Sequence, residues 1–250
     1  MKTYSKLCTE FYDLEQHPNA TQAHLFYMYH ARQAKGSILE PMCGTGRFLI
    51  PMLQAGLDIQ GFDASSHMLD ALIKKYALVS AQAAPVWQQF LQEFSCDKRY
   101  QLMFIPYGSL GLITNYQDLK KSLAVMYEHL AVGGKCILEI ETIASVPHPC
   151  GVWRRGSHTR PDGSKIVLNF LASYQPETQL FQSRSRYESV SDGVVIESEE
   201  ELFQQHLCRF DELDMLLQDV GFPTIKKYAP YDADQPVDEN TPIIIYECQK

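Results

Sequence analysis

The chain lacks several features that define common classes of protein. No stretch approaches the roughly 20 consecutive apolar residues that a membrane-spanning helix needs. No run of Lys and Arg is longer than two residues, and the formal net charge is −8, which disfavours a polyanionic partner. We therefore expect neither a membrane nor a nucleic acid among its partners.

The seven cysteines never form a C-x-x-C pair. Their odd number and scattered positions indicate a reducing compartment, with neither a disulfide framework nor a zinc site. No H-E-x-x-H motif is present, and no cysteine or aspartate cluster suggests a metal site, so we expect no metal. The first residues contain no hydrophobic signal core, and this favours a cytoplasmic protein.

What is present is a pattern of alternating strands and helices. The length of 250 residues suits one α/β domain with an elaboration. Between residues 37 and 142 strand and helix patterns alternate, which predicts a parallel sheet with helices on both faces. We expect the last helix in this region, marked by Leu119, Leu123 and Met126, to stop at Gly133-Gly134, with a strand over 135–142 after it.

Two regions depart from this alternation. Residues 1–36 are rich in aromatics, and Leu25, Met28 and Tyr29 have the spacing of one apolar helix face. Residues 145–208 contain the turn signals Asp162-Gly163 and Asp192-Gly193 between alternating runs, which predicts three or four antiparallel strands. A helix and a final pair of strands follow over 209–250.

The segment from Ile38 to Arg47 is the candidate ligand site. A short apolar run ends at the carboxylate of Glu40 and is followed by Gly44 and Gly46 and then by a helical pattern. Glycine permits backbone angles closed to other residues and a close approach of ligand to main chain. The helix start also directs unpaired N–H groups at this turn.

Two ligand-binding motifs have this form. The dinucleotide motif G-x-G-x-x-G requires a third small residue where Leu49 stands, and Glu40 would repel a diphosphate. The segment instead resembles motif I of the class I S-adenosylmethionine-dependent methyltransferases, E/D-x-x-x-G-x-G. A glycine turn in an unrelated α/β protein is the simpler alternative.

The resemblance covers residues 37–142 and 209–250. It implies a doubly wound, mostly parallel seven-stranded sheet, the Rossmann-like methyltransferase fold, with an antiparallel β insertion before the last helix. The implied domains are an N-terminal helical lid (1–36), the S-adenosylmethionine-binding domain (37–144 and 209–250) and the insertion (145–208), as an acceptor-site cover or a subunit contact.

The resemblance also implies roles for single residues. Asp63 follows the second strand, where the family's acid binds the ribose; its alternative role is to cap the next helix. Met68 packs on the adenine or fills the core. The family's Asp after the third strand is absent here. Its place is taken by Gln89-Phe90 or by Gln88-Gln89, of which we favour Gln89-Phe90, and an amide oxygen can accept the same hydrogen bond. The implied cofactor-binding residues are Tyr12, Glu40, Pro41, Met42, Gly44, Gly46, Arg47, Asp63, Ala64, Met68, Gln89, Phe90, Pro106 and Tyr107.

The methyl acceptor is less well defined. Enzymes that methylate nucleobases or glutamine often carry N/D-P-P-Y/F after the fourth strand, but this chain has Ile105-Pro106-Tyr107. We therefore expect methyl transfer to N or O of a small molecule, by a monomer or homodimer. His30, His148 and Tyr107 are candidate bases. A non-catalytic cofactor-binding protein and an NAD-dependent oxidoreductase are the alternatives.

Overall fold

The computed structural model describes residues 4–15 and 19–250. Two sheets organise this part of the chain, one of seven strands and one of four. No helix within these ranges is both long and apolar enough to cross a membrane.

The seven-stranded sheet has the order β10-β11-β5-β4-β1-β2-β3. All pairs are parallel except those that β11 makes with β10 and β5. The predicted fold is therefore confirmed. Its strands are β1 Ile38–Pro41, β2 Ile59–Asp63, β3 Val86–Gln88, β4 Tyr100–Ile105, β5 Leu130–Glu141, β10 Thr224–Tyr228 and β11 Ile243–Gln249.

Helices cover both faces of this sheet, because each has one apolar side to bury. For example, α4 buries Met68, Leu69, Leu72 and Tyr76, and Ser65 caps its start by accepting the Met68 N–H at 3.3 Å. The α-helices are α1 Lys6–Leu14, α2 Ala20–Gln33, α3 Leu49–Gln54, α4 Ser66–Ala77, α5 Tyr116–His129 and α6 Glu212–Val220.

The prediction for the end of α5 was wrong. The helix ends at His129, and Gly133-Gly134 lie inside β5, where the pairing with β4 shifts register. Carbonyl oxygens at the helix end accept hydrogen bonds from Lys250 Nζ, which lies 2.8 Å from Tyr127 O and 3.2 Å from Glu128 O. A distant lysine thus supplies the donors that a glycine cap would otherwise provide.

The predicted apolar face of α2 was right for Met28 and wrong for Leu25 and Tyr29. Leu25 and Tyr29 are exposed, whereas Tyr27 and Met28 are buried. The Tyr27 ring stacks on Phe104 of β4, and its hydroxyl lies 3.1 Å from a carboxylate oxygen of Glu139. A tyrosine is readily buried where its hydroxyl finds such a partner.

Residues 145–208 form the predicted antiparallel strands as a separate four-stranded sheet. Its alternating pattern sets one face, which includes Ile166 and Tyr187, against α1, where both belong to one hydrophobic cluster with Leu7, Cys8 and Phe11. Helix α1 therefore lies between the insertion and the seven-stranded sheet. The insertion strands are β6 Trp153–Thr159, β7 Lys165–Gln175, β8 Leu180–Ser191 and β9 Val194–His206.

Candidate cofactor site

The turn after β1 has the backbone conformation that its glycines permit. Gly44 and Gly46 have φ angles of +53° and +80°. A Cβ added at Gly46 would lie 2.8 Å from Leu72 Cγ, whereas one added at Gly44 would approach only Met68 Sδ, at 4.0 Å. Gly46 is therefore required for packing against α4, and Gly44 leaves open space beside the turn.

Leu49 explains why this turn is not a dinucleotide motif. The residue is fully buried and packs against β2, where a Cβ at Gly61 would lie 2.5 Å from Leu49 Cδ1. The small residue that allows close packing of helix and strand is thus on the neighbouring strand instead of on the helix.

Glu40 is a buried carboxylate at the end of β1, with 2% of its surface exposed. Its Oε2 accepts no hydrogen bond from the described residues. Burial raises the pKa of Glu40 well above its usual range, and the nearby Asp63 adds to the rise. An acceptor buried without a partner is costly, so its presence beside a cavity indicates a ligand with a donor or a positive charge.

Asp63 lies at the end of the adjacent strand and holds the turn. Its Oδ2 accepts from the Gly44 N–H at 2.9 Å, and its Oδ1 accepts from the Ser65 N–H at 2.8 Å. The residue thus fixes the glycine turn and binds the N–H of Ser65; the cap of α4 is Ser65 and not Asp63, contrary to the capping alternative. Because a carboxylate offers about four acceptor positions, it can still accept from a ligand hydroxyl.

A cavity of about 270 Å³ lies over these strand ends, beside the switch point between β1 and β4. Twelve of the fourteen predicted cofactor residues line it. Pro41 and Gly46 do not: Pro41 is buried within β1, and Gly46 packs on Leu72. The predicted residues that line the cavity are Tyr12, Glu40, Met42, Gly44, Arg47, Asp63, Ala64, Met68, Gln89, Phe90, Pro106 and Tyr107.

The N-terminal helix closes one side of the cavity. Arg47 donates to the Tyr12 carbonyl at 3.0 Å and lies over the Tyr12 ring. Asp13 accepts a hydrogen bond from the Thr45 hydroxyl and pairs with Lys75 at 2.7 Å. Residues of the glycine turn thus bind α1 directly, and this holds Tyr12 on the cavity wall.

Other predicted residues have partners within the chain. The Gln89 amide oxygen, expected to accept from an adenine, already accepts from the Trp87 indole at 2.6 Å. His30 packs against Phe26, and His148 is exposed; neither lines the cavity. Of the three candidate bases, only Tyr107 does, with a left-handed φ of +54° and a pKa raised by burial.

Sequence reasoning missed a second wall of the cavity, formed where the segment after β4 leads into α5. These residues carry no motif, so no sequence signal identified them. They are Ser109, Leu112, Ile113, Thr114, Asn115 and Asp118. Tyr4, which precedes α1, was missed for the same reason.

The fold also collects three potential metal ligands that sequence reasoning did not connect. Donor atoms of His206, Cys208 and Glu212 lie within 4.8 Å of one another. His206 Nε2 contacts Glu212 Oε1 directly at 2.7 Å, and Glu212 Oε2 accepts from the Arg209 N–H at 3.0 Å. These contacts pair the histidine and the carboxylate with each other.

Comparisons with known proteins agree with this geometry. Residues 38–134 match the family model described as a methyltransferase domain. The fold is similar to that of an S-adenosylmethionine-dependent methyltransferase from Clostridium acetobutylicum, with a TM-score of 0.77, 15% identity and coverage of 92% of this chain and 91% of that one. It is also similar to the sugar N-methyltransferase KedS8 from Streptoalloteichus, with a TM-score of 0.75, 15% identity and coverage of 95% and 91%. YqeM of Bacillus subtilis (strain 168), a methyltransferase by name, is 21% identical over 81% of this chain and 79% of its own length.

Residues 38–134 therefore match a methyltransferase domain, and the fold is that of S-adenosylmethionine-dependent methyltransferases, as the motif after β1 predicted. Its site fits that cofactor: Glu40 offers an unsatisfied buried acceptor to a cationic group, Gly44 leaves room at the turn, and Asp63 keeps acceptor positions for hydroxyls.

Proposed function

We propose that this enzyme methylates an amine nitrogen of a small polar molecule. Glu40, Asp63 and Asp118 place three carboxylates on the cavity wall, whereas Arg47 is the one Lys or Arg among the described lining residues. Such a wall favours positively charged ligands over anionic ones. This acidic character is the observation that carries the proposal.

The reaction chemistry also favours nitrogen over oxygen. Bound S-adenosylmethionine supplies a sulfonium methyl group. The acceptor lone pair forms the new bond to the methyl carbon, the carbon–sulfur bond breaks, and its electron pair stays on sulfur as a neutral thioether. The attacking form of the amine is the neutral one, so an ammonium attracted by the acidic wall must first lose one proton; the amine then attacks and loses its second proton afterwards. A hydroxyl, which is far less acidic than an ammonium, needs a base to attack. No histidine lines the cavity within residues 4–15 and 19–250.

Alignment of the two reactants supplies the rate enhancement. Holding them in attack geometry can contribute roughly 7–11 kcal/mol in enzymes generally. The cavity wall suits this role, since buried Phe48 and Pro106 and half-buried Tyr107 form a largely apolar surface at the end of β4. We infer that the acceptor enters beside this wall. The name of KedS8, a sugar N-methyltransferase, supports an amino sugar as one acceptor class to test.

The test compares matched pairs of acceptors that differ only in an amine or a hydroxyl, for example an amino sugar and its parent sugar. Transfer is followed by S-adenosylhomocysteine release and by the mass of the product. We expect a methylated amine and no product from the hydroxyl partner. Methylation of the hydroxyl compounds alone would replace this proposal with O-methyl transfer.

A further inference from the structure

Tyr4 lies on the cavity wall in a conformation that is costly for a tyrosine. Its φ angle is +61°, in the left-handed region. For a residue with a Cβ this conformation is strained, and it persists only where neighbouring groups hold it. The contacts that hold the Tyr4 backbone therefore indicate why the side chain is kept in this position.

Those contacts come from two distant parts of the chain. Glu201 on β9 accepts from the Tyr4 N–H at 3.1 Å and from the Ser5 N–H at 2.7 Å. On the other side, the Ser65 hydroxyl donates to the Tyr4 carbonyl at 3.0 Å. Since the Ser65 N–H is bound to Asp63, the Tyr4 backbone is linked to the residue that holds the glycine turn.

The Tyr4 side chain lies on the cavity wall beside a second tyrosine. Its ring packs edge-on against Tyr12, with the centroids 6.3 Å apart. Burial raises the pKa of the Tyr4 phenol well above its usual range, and the neighbouring Tyr12 and Asp63 add to the rise. The phenol stays protonated at physiological pH, so its hydroxyl is a hydrogen-bond donor on a residue that lines the cavity.

We propose that Tyr4 is a cofactor-binding residue and that Glu201 is its positioning residue. The β insertion thereby contributes to S-adenosylmethionine binding through the backbone of Tyr4, without touching the cofactor. Glu201 suits this role because it is 8% exposed and accepts from two consecutive N–H groups, which removing its charge would disrupt.

The same strand provides a matched control. Glu197, Glu199 and Glu201 alternate along β9, so they share one face of the insertion sheet. Glu199 accepts from the Leu7 N–H at 2.6 Å, whereas Glu197 pairs only with the exposed Lys6 at 2.8 Å. Glu197→Gln removes a carboxylate from the same strand but leaves the Tyr4 contacts intact.

The experiment titrates S-adenosylhomocysteine into the full chain by calorimetry, with melting temperature recorded in parallel. Glu201→Gln is expected to weaken affinity about fivefold to tenfold, and Glu197→Gln less than twofold. Tyr4→Ala is expected to weaken the affinity for S-adenosylhomocysteine about tenfold. The double variant, which also carries Glu201→Gln, should bind about as weakly as Tyr4→Ala alone, because Glu201 acts on the cofactor through the Tyr4 side chain.

Two results would overturn the proposal. One is a lower melting temperature for Glu201→Gln with unchanged affinity, which would make Glu201 merely structural. The other is unchanged affinity in Tyr4→Ala, which decides the question even if Glu201→Gln does not fold. Binding by the wild-type chain tests the cofactor assignment separately from both.

Discussion

The Arg47 guanidinium lies 4.6 Å from the centroid of the Tyr12 ring and donates to the Tyr12 carbonyl at 3.0 Å. One residue of the glycine turn thus holds both the backbone and the side chain of the N-terminal helix. A cation over an aromatic ring contributes roughly 0.5–2 kcal/mol, depending on its desolvation. Closure of the cavity by α1 therefore depends on the turn itself.

Arg47→Met tests this dependence. Methionine keeps much of the side-chain bulk but loses the charge and both interactions with Tyr12, so we expect about tenfold weaker S-adenosylhomocysteine binding in calorimetry. Lys120→Met is the control, since Lys120 makes only an exposed pair with Asp219 at 3.4 Å. Equal affinities for wild type and Arg47→Met would show that α1 does not depend on Arg47.

Glu40→Gln separates stability from binding. In the cofactor-free protein the folded-state pKa of Glu40 is raised by burial, so the folded state keeps this proton to a higher pH than the unfolded chain. The stabilisation that comes from this raised pKa is fully present below about pH 4.3, the pKa of a glutamate in the unfolded chain. It is lost as the pH rises through the pKa of Glu40 in the folded protein.

At neutral pH and above, Glu40→Gln should therefore melt at a higher temperature than wild type, and the difference should shrink in acid. The same substitution should weaken cofactor binding, because it removes the carboxylate that faces the cationic group. Thermal scans from pH 4 to pH 9 and titrations at pH 7.5 measure the two effects. A lower melting temperature at neutral pH would contradict the assignment of Glu40 as a destabilising binding residue.

Asp63→Ala should reduce both stability and affinity. It removes the acceptors of the Gly44 and Ser65 N–H groups, each worth roughly 1 kcal/mol, so the melting temperature should fall by several degrees. Ser65→Ala, which removes the hydroxyl that caps α4, is the comparison. If Asp63→Ala lost stability yet bound S-adenosylhomocysteine like wild type, Asp63 would have only a structural role.

The two glycines of the turn should respond differently to alanine. Both substitutions strain a left-handed residue by roughly 1 kcal/mol. Gly46→Ala adds a clash with Leu72, so it should show the larger loss of melting temperature. Gly44→Ala places its methyl group in open space by the cavity and should chiefly weaken cofactor binding. The reverse order of effects would place the ligand beside Gly46.

Some errors of the sequence interpretation share a physical origin. Periodicity identified α2 but chose Leu25 and Tyr29 for its buried face, because nothing local shows that Glu139 accepts from Tyr27. Gly133-Gly134 suggested a helix end, whereas Lys250 caps α5 from the far end of the chain. In both cases a partner more than a hundred residues away decided the outcome.

The sequence by itself determined the fold and the position of the candidate cofactor site, because the glycine turn after β1 and the carboxylates at the ends of two neighbouring strands are local features of the chain. Only the tertiary structure decided how the cavity is closed. Its covering residues are Tyr4, which is held by Glu201, and Tyr12, which is held by Arg47. Such contacts form only when distant segments fold against one another, so they leave no periodic signal in the sequence.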